Sequence, residues 1–270
     1  MTELLKAKSD VCIRALRVLG NLGHLAAPAA AEVVSLLERE SVDVQKTATW
    51  VLIRMGAHGI DLTHELQELL ENDDVLICLS VVEILASLHD QAATLAVDLA
   101  WLTTHQDASV RTAARECLHT LGADGARAAP ELASMLTNER AEIRESAVCL
   151  LGGLGVCSTP YTAQMAHLLI DTEAIVRKAT VAAFTRLGGE NSAQAAMEFP
   201  KLGIFAQDED VSLGALEVVR IFGKHAAHAA SELPQALAHA SCSVRTQAAE
   251  ILCMLGDLGC ASDAIPGIIA

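Results

Sequence analysis

Apolar residues along this chain follow a helical period that starts afresh every 33 residues. In Val110 to Leu136, Val110, Ala114, Cys117, Leu118 and Leu121 fall at i, i+4, i+7, i+8 and i+11. That is one stripe of a helix with 3.6 residues per turn. Gly122 and Gly125 follow, where glycine can take the left-handed conformation that ends a helix. Pro130 stands near the start of a second helix, where its missing N–H costs little, and Leu132, Met135 and Leu136 form a second apolar stripe. The stretch predicts helix, glycine corner, helix. Two such helices cannot bury both stripes alone, so the element needs copies of itself on either side.

The copies are present. The positions equivalent to Val110 are Val11, Val44, Ile77, Ile143, Val176, Val211 and Val244, 33 residues apart except for the 35 between Val176 and Val211. The corner column reads Gly23, Gly56, His89, Gly122, Gly155, Gly188, Gly223 and Gly256, with an apolar neighbour from Leu22 to Leu255. The second-helix column reads Val33, Leu66, Leu99, Leu132, Met165, Phe199 and Leu233. So many columns held in phase predict an all-α chain of about eight two-helix repeats, read as one domain over 1–270. Repeats begin near residues 9, 41, 74, 107, 140, 173, 208 and 241, and residues 1–8 read as the remnant of a preceding helix. The third repeat is the least regular, with His89 in the glycine column and no proline after it. The sixth carries two extra residues between Gly188 and Val211, one expected in each loop. The last repeat stops at AIPGIIA, partway into its second helix. Both ends therefore look unfinished, and the expectation is a longer native chain or a partner that covers them.

A 33-residue period also fits ankyrin repeats, but no repeat carries their Thr-Pro-Leu-His turn. The VRxxAxxxLxxLG pattern, with a following proline and Leu-Leu, resembles short HEAT-like repeats, which grade into armadillo repeats. Val110-Arg111, Ile143-Arg144, Val176-Arg177 and Val244-Arg245 carry the signature. The resemblance covers the whole chain. It implies a right-handed α-α superhelix with second helices lining the concave face, and scaffold or adaptor work rather than a particular reaction. It also implies that Arg111, Arg144, Arg177 and Arg245 bond to loop acids and carbonyls between repeats.

Composition narrows the partners. Hydrophobic residues make up 52% and aromatics 3%, which suits closely stacked Ala- and Leu-rich helices. The net charge of −15 repels nucleic acid and anionic membranes, and no basic groove is visible. An acidic solenoid fits a protein partner that is basic or extended. Eight cysteines lie scattered without a CxxC, several of them inside apolar stripes, as small buried hydrophobes in a reducing, intracellular (cytoplasmic or organellar) compartment. MTELLKAKSD lacks the apolar run of a signal peptide. The uncharged stretch Ser146–Ile170 keeps the repeat register and contains Gly152, Gly153, Gly155 and Pro160, so it reads as one buried repeat rather than a membrane span.

Two columns on the second helices are candidates for function. Directly before the core column stand Glu32, Glu65, Asp98, Glu131, Gln164, Glu198 and Glu232. They are either an acidic stripe for a partner or local compensation of helix N-terminal dipoles. Three residues on come Ser35, Glu68, Trp101, Ser134, His167, Lys201 and Gln235, polar but for Trp101, which reads as a binding anchor or as a ring folded over the next repeat. The candidate partner-binding set is Glu32, Glu65, Asp98, Trp101, Glu131, His167, Glu198, Lys201 and Glu232. Trp50, on the outer face of a first helix, marks a second surface.

No catalytic residue, metal site or cofactor is expected. His225 and His228 have a spacing for one helical side but no third ligand. The repeated His-Glu pairs of deoxyhypusine hydroxylase, which also uses HEAT-like units, are reduced here to His64-Glu65. There is no GxSxG, P-loop or dinucleotide fingerprint. The sequence thus reads as a non-enzymatic scaffold or adaptor that holds a protein in an acidic concave groove. Two other readings stay open. One is a structural subunit of a larger assembly, contacted through its ends and convex face. The other is a chaperone for a chromophore protein, since phycobilin lyases use similar repeats.

Overall fold

The structure, a computed structural model, describes residues 5, 9–39, 41–199 and 208–259, without the side chains of residues 228 and 229. Among the described residues there are helices, turns and bends and no strand. Helices α1 (Ser9–Leu22) and α2 (Ala30–Val34) build the first repeat, and α3 (Val42–Ala57) and α4 (Thr63–Leu70) the second. The third holds α5 (Val75–Ser87), α6 (His89–Thr94) and α7 (Ala96–Leu102). The next four hold α8 (Ala108–Leu121) and α9 (Ala129–Ser134), α10 (Ala141–Gly153) and α11 (Thr162–Ala166), α12 (Ala174–Asn191) and α13 (Ala193–Ala196), and α14 (Glu209–Phe222) and α15 (Leu233–Leu237). Helix α16 (Cys242–Asp257) opens the eighth.

The chain divides into two compact units, Met1–Ala128 and Ala129–Ala270. In the N-terminal unit α1 packs on α3, α3 on α5 and α5 on α8, while α2 and α7 flank α4 in a second layer. In the C-terminal unit α10 packs on α12, α12 on α14 and α14 on α16, with α11 against α13. The core lies between the two layers of each unit. The second-helix column Val33, Leu66, Leu99, Leu132, Met165, Phe199 and Leu233 is fully buried throughout. In the C-terminal unit the larger rings of Phe184, Phe199 and Phe222 form a cluster, with Phe184 edge-on to Phe222 at 5.4 Å and Phe199 stacked on it at 6.0 Å. Because Phe199 keeps its buried column, one of the two extra residues of the sixth repeat lies before it. The other falls outside the described residues.

Three departures from the sequence reading have physical causes. First, the glycine column turns with positive φ at Gly23, Gly122, Gly155, Gly188 and Gly223, but not at Gly56 or Gly256. There the first helix runs on to Ala57 or Asp257, and Gly59 (φ 82°) and Gly259 (φ 70°) make the turn instead. Gly56 is kept small for another reason: a Cβ would collide with the Leu88 side chain. Second, several second helices tighten after one or two α-turns into 3-10 geometry, as at Ser35–Glu38 and Met135–Thr137. Ser35 and Ser134 donate their hydroxyls to the carbonyls of Glu32 and Glu131, at 2.9 and 2.7 Å, at these changes of winding. Third, Val11 and Leu22, core positions by the repeat pattern, are 43% and 39% exposed, since among the described residues no first helix packs on that side of α1.

The uncharged stretch Ser146–Ile170 is broken into the end of α10, a 3-10 segment Gly155–Tyr161, α11 and a further 3-10 turn. No described helix is long and apolar enough to cross a membrane.

Candidate functional site

Several first helices start from a loop tied at its backbone atoms. Asp74, Asp107 and Asp208 cap α5, α8 and α14 through backbone N–H groups, for example Ser109 N to Asp107 Oδ1 at 2.8 Å. Those N–H bonds hold the Asp107 carboxyl below its ordinary value. Two residues earlier, the side chains of Asn72, His105, Asn138, Asp171 and His239 accept the N–H of the residue that opens the helix, at 2.8–3.0 Å. Across the same loop, Arg111, Arg144, Arg177 and Arg245 each donate Nη1 to the carbonyls six and five residues back. Gln45 and Cys78 stand at the same position and bond to Leu37 O and Asn72 O. These arginines are spent on the loops, as the repeat resemblance implies, and do not form an anion site.

The two second-helix columns differ in exposure, and the carboxylate column is less open than an exposed stripe would be. Glu32, Glu65, Asp98, Glu131, Glu198 and Glu232 are all half-buried beside fully buried core residues, and Gln164 is exposed. Ser35, Glu68, Trp101, Ser134, His167 and Gln235 are all exposed, Trp101 to 54%. Lys201 lies outside the described residues. Glu32, Glu65, Asp98 and Glu131 sit in the first turns of their helices, where a carboxylate offsets the dipole.

In the N-terminal unit, Gln67 Nε2 reaches Asp98 across the repeat boundary at 3.4 Å. A cleft of about 390 Å³ opens between the second helices of the first two repeats. Its walls carry Glu38, Glu65, Glu68 and Glu71, and Val34 and Leu69 contribute apolar surface. Glu68 lies 3.8 Å from His64, while Glu38, Glu65 and Glu71 form no ion pair among the described residues. In the C-terminal unit, His167 Nε2 lies 3.9 Å from Glu198 Oε2 in the next repeat, and Gln235 donates to Glu232.

Trp50 stands apart from these columns. Its ring lies on α1 where Gly20 leaves room: a Cβ there would come within 2.6 Å of Trp50 Cζ3. The Arg54 guanidinium lies 5.1 Å from the ring centroid. The ring is 42% exposed and borders a cleft of about 480 Å³ between α3 and α5, with Val42, Ile53, Leu76 and Leu79. Trp50 is thus both a packing residue and part of an apolar outer surface.

Cys12, Cys78 and Cys117 are buried, and burial pushes their thiols up, Cys117 to about 11, so they stay protonated. Cys149 and Cys157 are half-buried, and Cys242 and Cys253 are exposed. No group of three or more metal-ligating side chains comes together among the described residues.

This architecture is the class of fold called an α-solenoid of HEAT-like repeats, and comparison with solved structures gives the same class. No family model and no curated protein matches the chain. An engineered protein is 18% identical over all of this chain and 77% of its own, with a TM-score of 0.51. Importin beta is 14% identical over 95% of this chain and 40% of its own, with a TM-score of 0.53. Kap95 in its complex with Nup1 is 15% identical over 97% of this chain, with a TM-score of 0.51. The chain spans about 40% of the length of these last two proteins. At such identities the likeness is one of fold.

Proposed function

We propose that the protein is a non-enzymatic binding scaffold, and that its partner is a protein segment carrying basic side chains, held against the second-helix faces. The observation that carries this reading is the exposed column with Trp101 at 54%, flanked by a half-buried column of carboxylates. An exposed indole gives an anchor of the kind that dominates interface energies. The carboxylates beside it, in a chain of net charge −15, attract a cationic partner and disfavour an anionic one. The four glutamates and apolar surface of the 390 Å³ cleft suit a lysine or arginine side chain, whose stem is apolar and whose head is charged. Kap95 in complex with Nup1 is an example of such a fold engaged with another protein. The helix-dipole role of the same carboxylates is compatible with this use. The burial of Cys12, Cys78 and Cys117 as small core residues fits a reducing compartment.

The test is capture from native extract with wild type and with a Trp101→Ala, Glu131→Lys, Glu198→Lys triple variant of unchanged helical content. A partner held by the wild type and lost by the variant supports the reading. Identical capture by both removes the second-helix faces from consideration and leaves the carboxylates as helix-end chemistry.

A further inference from the structure

The two units carry different second-helix faces. In the N-terminal unit the exposed Glu38 closes the 3-10 segment Ser35–Glu38, and the exposed Glu71 caps the C-terminus of α4. The negative end of a helix dipole disfavours a carboxylate at such a place. Dipole compensation accounts for Glu32, Glu65, Asp98 and Glu131 in their first turns, and it leaves Glu38 and Glu71 without a structural purpose. Both line the cleft of about 390 Å³ between the second helices of the first two repeats. Neither forms an ion pair among the described residues. The equivalent positions in the C-terminal unit, Thr137, Ile170 and Ala238, are uncharged, and there Glu198 lies 3.9 Å from His167.

The same face has a pitch. Helix α4 packs between α2 and α7, and Gln67 Nε2 reaches Asp98 at 3.4 Å across the boundary of α4 and α7. Helices in such contact lie about 8–10 Å apart. A polyproline II segment has about three residues per turn and rises about 3.1 Å per residue, so one side of it recurs about every 9 Å. A β-strand turns residues i and i+3 to opposite faces, and an α-helix climbs only about 5.4 Å per turn. The Trp101 indole, 54% exposed on α7, offers a flat face on which a guanidinium stacks.

We propose, resting on the reading of a basic partner held by the second-helix faces, that the bound segment crosses α2, α4 and α7 in polyproline II conformation. It carries an arginine or lysine at every third residue. One such side chain enters the cleft lined by Glu38 and Glu71, its stem against Val34 and Leu69. The next falls one helix further on, at the boundary of α4 and α7, where an arginine stacks on Trp101. The residues between them turn away from the protein, so proline is accepted there. The footprint is the N-terminal unit, because its face alone adds carboxylates that helix dipoles do not call for.

The experiment titrates the full chain into two fluorescent peptides of identical composition and reads anisotropy at low salt. One peptide is four Arg-Pro-Pro triplets; the other has its four arginines adjacent, followed by the prolines. The triplet peptide should bind about fivefold more tightly. Glu38→Lys, Glu71→Lys should weaken its binding about tenfold, without loss of helical content, since lysine suits a helix C-terminus. Glu131→Lys, Glu198→Lys changes the net charge by the same amount in the C-terminal unit and should leave binding within about twofold, the small residue of long-range attraction. Equal affinity for the two peptides, or equal weakening by the two double variants, overturns the inference and leaves the basic-partner reading standing. Failure of both peptides to bind overturns that reading together with the inference.

Discussion

At the scale of single residues, the loop ties carry much of the definition of each repeat. The most developed is Arg144, which donates Nε and Nη2 to the two oxygens of Asp171 at 2.7 and 2.8 Å while Nη1 holds two carbonyls. The two side chains are only 13% and 6% exposed. Burial alone would raise the Asp171 carboxyl. The Arg144 hydrogen bonds, the Glu173 N–H and the charges of Arg144 and Arg177 outweigh it and hold the group below 3.8. A folded value below the unfolded one means the stabilisation is complete above about pH 4 and is lost as pH falls through the folded value. Asp171→Asn should cost about 3 kcal/mol at about pH 7, because it leaves a buried guanidinium poorly paired. Urea unfolding at about pH 7 and about pH 3 should show the gap to wild type narrowing in acid. An unchanged gap would assign the stabilisation to another group. The Val-Arg signature made the arginines legible in the sequence. The acceptor column of Asn72, His105, Asn138, Asp171 and His239 was not, because three residue types share one role and hide the repetition.

At the scale of elements, closeness between first helices is set by small residues at particular positions. Gly152 meets the Ala183 backbone, which cannot rotate away as a side chain can, whereas adjacent Gly153 meets nothing within 4 Å. Gly152→Ala should therefore destabilise by about 1–3 kcal/mol as α10 and α12 part. Gly153→Ala should stabilise by about 0.5–1 kcal/mol by restricting the unfolded chain. Thermal unfolding of the pair separates packing from helix propensity, and equal effects would contradict the close approach. Gly122, at φ 50°, is needed for its conformation instead of its size. The sequence offered one glycine column for both needs. The 3.6-residue stripes located the helices and the fully buried column from Val33 to Leu233. They could not show that Gly56 serves packing while Gly59 and Gly259 turn, since only φ and the space around each glycine distinguish the two uses.

At the scale of the whole molecule, charge and repetition set the kind of partner. With a net charge of −15, association with a basic segment should weaken as salt screens the carboxylates. Capture is expected to fall several-fold between about 50 and 300 mM salt, a range over which the screening length roughly halves. Capture insensitive to salt would make the indole and the apolar surface the main contributors. The central claim is that the partner lies on the second-helix faces and not on the outer face near Trp50. The most direct measurement places a photoreactive side chain at Trp101 and, in a second variant, at Leu76, which is exposed beside the Trp50 cleft. Illumination in extract should yield a partner adduct from position 101 and none from position 76. Adducts from position 76 alone would contradict the account and move the binding surface to the outer face of α3 and α5.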